Sequence, residues 1–273
     1  MKSIGLIGMG NMGSAMLKGM LKVFEPEELI FSRKDEAKGR DLSEESGVAY
    51  AADNRECALQ VKYLILAVKP QIIREVLEEI KPEVRKSQIF ISVAAGVGIQ
   101  DIKEILGEDM RVIRAMPNTP ALLGEGMTGV CLDSSDYSEG EQTVIRRMFE
   151  SFGRMQIVKE ELMDAVICVS GSSPAYVYLF IEALADGAVK YGLPRRTAYE
   201  MAAQTVLGAA KMVLETGEHP GMLKDKVCSP GGTTIAGVAA LEEYGFRNAV
   251  IKACDRCYER ANAMGKEKKQ EGK

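Results

Sequence analysis

The run MKSIGLIGMGNMG at residues 1–13 constrains this chain more than any other stretch. An apolar segment over 3–7 reads as a buried strand and leads straight into Gly8-Met9-Gly10-Asn11-Met12-Gly13. Gly8 permits the tight turn, Gly10 lets the backbone approach a pyrophosphate, and Gly13 lets the next helix pack closely. That helix, expected over 12–23, aims its unpaired N–H groups and positive dipole end at the phosphates. The pattern is a dinucleotide fingerprint, and its plain alternative is an ordinary strand-to-helix turn.

Strands and helices then alternate. A second strand over 29–31 ends at Ser32-Arg33-Lys34, where an NAD site usually carries an acid for the ribose 2′-hydroxyl. A hydroxyl and two cations suit the 2′-phosphate of NADP instead. The other reading is a solvated basic turn, because Asp35 and Glu36 follow at once. Further strands are expected at 47–50, 63–68, 89–93 and 111–116, with helices over 53–60 (capped by Asp53), 70–80 (Pro70 at its first position) and 99–106. Strands at 126–133 and 154–158 bracket one more helix and complete a domain over 1–160. This spacing implies an α/β, doubly wound, mostly parallel sheet. The loops at 8–13, 32–34, 67–70, 94–96 and 116–120 each follow a strand, so all are expected on one rim.

From 161 to 265 no strand pattern remains. In the helix expected over 174–191, Glu182, Asp186 and Lys190 recur every four residues and leave most of the circumference apolar. The helix over 197–215 repeats the arrangement. Helices with almost no solvent face need a partner, either a second copy of the chain in an interlocked homodimer or this chain's own sheet domain. A last amphipathic helix spans 246–261, and the Lys- and Glu-rich residues 266–273 are expected to be a disordered tail.

Composition narrows the classes of function. Lys plus Arg at 35 against Asp plus Glu at 39 gives a net charge of -4, which removes the basis for general nucleic-acid binding. No run is expected to span a membrane and no signal-peptide pattern precedes the first strand, so a cytoplasmic protein is expected. The six cysteines are too scattered for a disulfide framework, and Cys254 and Cys257 lack the second ligand pair of a zinc site, so no metal is expected. With His219 the one histidine, triad hydrolysis is disfavoured.

A second chemical stretch is Ser229-Pro230-Gly231-Gly232-Thr233-Thr234, ahead of a helix over 235–243. A backbone nest and a helix start carrying two hydroxyls suit a small carboxylate. They equally suit a capped helix in which Thr233 or Thr234 accepts N–H bonds.

Together these motifs resemble the pyrroline-5-carboxylate reductases. The likeness rests on GMGNMG at 8–13, AVKP at 67–70, SVAAGV at 92–97, RVIRAMPNTP at 111–120, GEG at 124–126, SGSSPAY at 170–176, LPR at 193–195 and SPGGTT at 229–234. One departure is Ser173, where the family usually has glycine. The resemblance implies a Rossmann-like domain followed by an all-helical dimerisation domain, and reduction of a cyclic imine to L-proline by NADPH, with NADH as a possible substitute. It implies that residues 8–13 hold the pyrophosphate, that Ser32, Arg33 and Lys34 meet the 2′-phosphate, and that Asn54 lies near the adenosine. Ala67, Val68, Lys69, Pro70, Ala94 and Ala95 would line the dinucleotide, with Asn118 near the nicotinamide. Ser229, Gly231, Gly232 and Thr233 would hold the substrate carboxylate and Thr234 would approach its ring nitrogen, in a pocket built across a homodimer, with a ring of dimers as the larger assembly weighed beside it. The alternatives weighed beside it are a β-hydroxyacid dehydrogenase-like enzyme, which would need a lysine within 170–180 that this chain lacks, and a non-catalytic NADP-binding sensor.

Overall fold

The computed structural model of the chain describes residues 2–271, with side chains as far as residue 263. Contacts divide it into two compact units. The chain up to Ser172, together with the stretch from Cys257 onward, forms the first, and Ser173–Arg256 forms the second.

The first unit is built on one sheet of eight strands: β1 (Ile4–Ile7), β2 (Leu29–Ser32), β3 (Ala49–Ala51), β4 (Tyr63–Leu66), β5 (Ile89–Ser92), β6 (Arg111–Met116), β7 (Gly126–Cys131) and β8 (Gly153–Ile157). Their order across the sheet is β3-β2-β1-β4-β5-β6-β7-β8. Only β6 against β7 is antiparallel. The helices of this unit are α1 (Asn11–Met20), α2 (Glu36–Ser46), α3 (Asn54–Leu59), α4 (Ile73–Ile80), α5 (Ile99–Leu106), α6 (Glu139–Glu150) and α7 (Met163–Val166). β1, β2, β4 and β5 are buried along their whole length, as a parallel sheet covered on both faces requires. On one face Leu6, Phe31 and Ile65 pack with Met16 and Met20 of α1 and Phe149 of α6. On the other, Ile7, Leu64 and Phe90 pack with Val76 and Leu77 of α4 and Ile102 of α5.

α4 shows how the pattern becomes structure. Ile73, Val76, Leu77 and Ile80 fall at i, i+3, i+4 and i+7, and all four are buried. Each contributes about 1.5–3 kcal/mol of apolar burial. The helix does not begin at Pro70, however. The Ile72 N–H bonds to the Lys69 carbonyl at 3.1 Å, so Pro70 occupies a turn, where its fixed φ is equally at home, and Ile72 is left exposed.

Residues beyond β8 stay with the sheet. Met163, Cys168 and Ser170 are buried, and Arg114 of β6 reaches Glu160 at 3.5 Å and Asp164 at 3.8 Å. The compact unit therefore closes at Ser172, later than the change of texture at 160. Among the described residues no non-glycine residue has a positive φ, so Ser173 asks nothing unusual of the backbone.

The second unit contains α8 (Ser173–Lys190), α9 (Arg195–Thr216), α10 (Pro220–Val227), α11 (Thr233–Glu243) and the first turns of α12 (Phe246–Glu271). α8 and α9 pack on one another. Within this unit only Ala185, Ala198 and Ala202 are buried. The expected tail over 266–273 is instead helical backbone as far as Glu271, because its Lys, Glu and Gln are good helix formers continuing α12. The side chains there, and residues 272 and 273, lie outside the described residues. The stretch Glu160–Lys190 is long and apolar enough, by length and composition, to cross a membrane, because α7, a π-helical turn over Ile167–Gly171 and α8 run on almost without interruption.

Candidate active site

β1, β2, β4, β5 and β6 run parallel, so the loops that follow them leave the sheet at one edge. The winding reverses between β1 and β4, the position at which open α/β sheets form a crevice. A cleft of about 640 Å³ lies there. Its wall brings together Gly8, Met9 and Gly10 after β1, Ser32, Arg33 and Lys34 at the end of β2, Asn54 opening α3, and Val68 after β4. Asn11, Met12, Gly13, Ala67, Lys69, Pro70, Ala94, Ala95 and Asn118 lie outside that wall.

The three glycines of the fingerprint differ in what they make room for. Gly8 has φ +97°, a conformation other residues rarely take. A Cβ on Gly13 would sit 2.0 Å from the Gly8 carbonyl oxygen, so the first turn of α1 packs directly on the turn before it. A Cβ on Gly10 would meet nothing within 4 Å and would project into open space on the cleft wall. α1 starts at Gly10 with no side-chain cap and no acid in its first turn. Its leading N–H groups thus remain available, and an elongated anion such as a pyrophosphate fits the space a side chain at residue 10 would fill.

The charges beside Ser32 are arranged in the same sense. Asp35 is spent on capping α2, accepting from the Lys38 N–H at 3.1 Å and pairing with Lys38 Nζ at 3.3 Å. The Lys38 N–H bond, more than any charge, holds its carboxyl below the usual range. Glu36 pairs with Arg40 at 2.7 Å. Asp35 and Glu36 border the cleft as well, each paired within its own helix, while among the described residues Arg33 and Lys34 make no ion pair.

The floor of the cleft is a hydrogen-bonded chain. The Ser32 hydroxyl donates to Asn54 Oδ1 at 2.7 Å, and Asn54 Nδ2 donates to Glu79 Oε2 at 2.7 Å. Glu79 and Glu75, both on the wall, escaped the sequence reading, because two acids four residues apart on an amphipathic helix look like its solvated face. Beneath Ser32, burial pushes the Cys57 thiol up to about 12, so it stays protonated as part of the core. None of the cysteines is in a disulfide. Asn118 serves as a tie: its Oδ1 accepts from the Met127 N–H at 2.8 Å and its Nδ2 donates to the Ser170 carbonyl at 2.9 Å.

In the second unit the turn at 229–234 closes with the Gly232 N–H on the Ser229 carbonyl at 3.0 Å, and Gly231 takes φ +70°. A Cβ on Gly232 would meet Ser229 Oγ at 2.6 Å. α11 begins at Gly232 with no side-chain cap and no acid in its first turn. Thr233 and Thr234 are exposed and their hydroxyls make no hydrogen bond, so the capped-helix alternative is not the arrangement found. His219 has a local task, its Nδ1 accepting from the Gly221 N–H at 3.0 Å to cap α10.

Known proteins share both halves. The family model described as NADP oxidoreductase, coenzyme F420-dependent, matches residues 3–96, and that for pyrroline-5-carboxylate reductase dimerisation matches residues 160–264. The pyrroline-5-carboxylate reductase of Escherichia coli (strain K12) is 46% identical over 267 residues, covering 97% of this chain and 99% of that one. A crystal structure of Plasmodium falciparum pyrroline carboxylate reductase with NADP bound superposes with a TM-score of 0.85 at 33% identity, over 97% of this chain and 98% of that one. The Coxiella burnetii pyrroline-5-carboxylate reductase reaches 0.90 at 34% identity, over 96% and 98%.

Proposed function

Because the chain belongs to the pyrroline-5-carboxylate reductase family, we propose that it reduces 1-pyrroline-5-carboxylate to L-proline, with NADPH as the hydride donor. The observation that carries this reading is a pair of helix starts, α1 and α11, each led by glycine and each lacking both a side-chain cap and an acid in the first turn. Two such N-termini suit two anions, the dinucleotide pyrophosphate and the substrate carboxylate.

The bound nicotinamide supplies the hydride; the protein's own groups do the rest. Backbone N–H groups at 8–13 hold the pyrophosphate, and Arg33 and Lys34 neutralise a 2′-phosphate. The 229–234 turn takes the carboxylate, and the free Thr234 hydroxyl orients the ring nitrogen. A cyclic imine takes up a proton near neutral pH far more readily than a carbonyl does, so the substrate brings its own activation and needs no histidine or lysine acid. Catalysis is then mostly placement of two reactants.

Self-association as an interlocked homodimer completes the proposal, supported by the dimerisation match over 160–264 and by the apolar surface of the helical unit. A ring of dimers and a cytoplasmic location extend it. Incubating the purified protein with NADPH and pyrroline-5-carboxylate tests the activity. Rapid loss of the reduced-nicotinamide absorbance is expected, whereas tight cofactor binding without that loss would leave a sensor in its place.

A further inference from the structure

A dinucleotide on a doubly wound sheet spans the switch point, with its two halves over opposite halves of the sheet. The basic turn after β2 marks the adenosine side, so the nicotinamide side falls toward β5 and the loop that follows it, residues 93–98. That loop turns at Gly96, with φ +69°, and enters α5. Two carboxylates hold the entry. Asp101, in the first turn of α5, accepts the Gly98 N–H at 2.8 Å. Glu160, 61 positions away, accepts the Ile99 N–H at 2.7 Å. Unlike α1, α5 therefore starts against acids, which hold the loop where α1 leaves room for an anion. The same Glu160 oxygen lies 3.5 Å from Arg114 Nη1, and Arg114 Nη2 lies 3.8 Å from Asp164 Oδ1. The Arg114 side chain is 12% exposed, and its backbone is in register with Ser92, the last residue of β5, beside the point where the loop leaves the sheet. The segment carrying both acids is seated on β7: a Cβ on Gly129 would meet Val166 of α7 at 2.7 Å.

We infer that Glu160 is a positioning residue for the hydride step: through the Ile99 N–H it fixes the loop after β5, and through that loop the nicotinamide ring. Arg114 keeps the carboxylate in place, and the reach of the glutamate to the N–H does the positioning. The inference rests on the reductase reading. In that reading the pyrophosphate is held by the 8–13 turn and the 2′-phosphate by Arg33 and Lys34, and Glu160 meets neither. Its loss therefore loosens the reacting end of the cofactor and leaves the anchored end as it was. Misplacing a reactant by about 1 Å costs roughly a hundredfold in rate, while an affinity carried by the two anions stays.

The test uses the full chain with NADPH and pyrroline-5-carboxylate. It measures kcat, the NADPH dissociation constant by nicotinamide fluorescence, and the primary isotope effect with NADPH deuterated at the transferred hydride. Glu160→Ala is expected to lower kcat roughly ten- to a hundredfold and to raise the isotope effect, with NADPH affinity within about twofold of wild type. Glu160→Gln keeps an oxygen for the Ile99 N–H and should recover most of that loss. Glu160→Asp keeps the charge beside Arg114 but is one methylene short of the N–H, and should behave like Glu160→Ala. Glu161→Ala, at an exposed neighbouring position, is the control and should match wild type. Glu160→Asp near wild type with Glu160→Gln impaired would overturn the inference, because an ion pair would then suffice. So would a kcat in Glu160→Ala equal to that of Glu161→Ala, or an NADPH affinity lost in proportion to the rate. If Glu160→Ala does not fold, the contrast of Glu160→Asp with Glu160→Gln decides. A wild type that does not oxidise NADPH would sink the reductase reading and the inference with it, whereas an active wild type with indifferent Glu160 variants would sink the inference alone.

Discussion

Gly10 and Gly13 stand three residues apart in one motif and do different work. Gly13→Ala places a methyl 2.0 Å from a backbone oxygen that cannot swing aside, so stability should fall by roughly 1–3 kcal/mol. Gly10→Ala has open space around its methyl and an ordinary φ of -78°, so a denaturant melt should match wild type. Its NADPH affinity should nonetheless drop by about tenfold or more if the methyl takes the place proposed for the pyrophosphate. Wild-type affinity in Gly10→Ala would remove the β1–α1 turn from the site. Thr234→Ala is expected to lower turnover by one to three powers of ten, roughly the worth of one or two oriented hydrogen bonds, and a wild-type rate would dismiss that hydroxyl. The close packing at Gly13 was readable in the motif, since it follows from local backbone geometry. The Ser32–Asn54–Glu79 chain was not, because its members are separated by 22 and 25 positions and meet only in the fold.

At the scale of elements, α6 shows how one residue anchors a helix to strands. Glu141 closes a capping box with Ser138, pairs with Lys62 at 2.8 Å just before β4, and meets Arg111 of β6 at 3.0 Å. Burial pushes its carboxyl up, but the bonds from Lys62, the Ser138 N–H and Arg111 together outweigh burial and bring it down to about 2. A carboxylate depressed in the folded state stabilises above its unfolded value near 4.5 and loses that contribution as pH falls toward 2. Stability measured by urea melts should therefore decline by up to about 3 kcal/mol across that window. Glu141→Gln should be less stable at neutral pH and show a flatter decline, and an unchanged slope would assign the acid sensitivity elsewhere. Amphipathic stripes were legible along the chain, as was Asp53 capping α3, whose side chain accepts the Glu56 N–H at 2.7 Å. The start of α4 was not, because a proline serves a turn and a first helical position equally well.

The whole molecule raises the question of what covers its helical unit. Within Ser173–Arg256 the buried residues are three alanines, while Leu179 and Leu214 are 66% and 57% exposed. So much apolar surface marks an interaction face, and the dimerisation match over 160–264 supports the proposal that another copy covers it. Light scattering should find the wild type at dimer mass or above, and Leu179→Glu with Leu214→Glu should shift it toward monomer. A monomeric wild type would reject the homodimer. The sequence by itself determined the alternation of strands and helices, the parallel sheet, the glycine turns and the family, because these depend on periodicity and on backbone freedom within a few residues. Only the tertiary structure decided which cations the acids after the basic turn pair with, which amide is spent as a tie, and which glutamates of α4 reach the cleft. Side-chain partners are chosen by distances in space, and strand order brings neighbours together in a way that spacing along the chain does not encode.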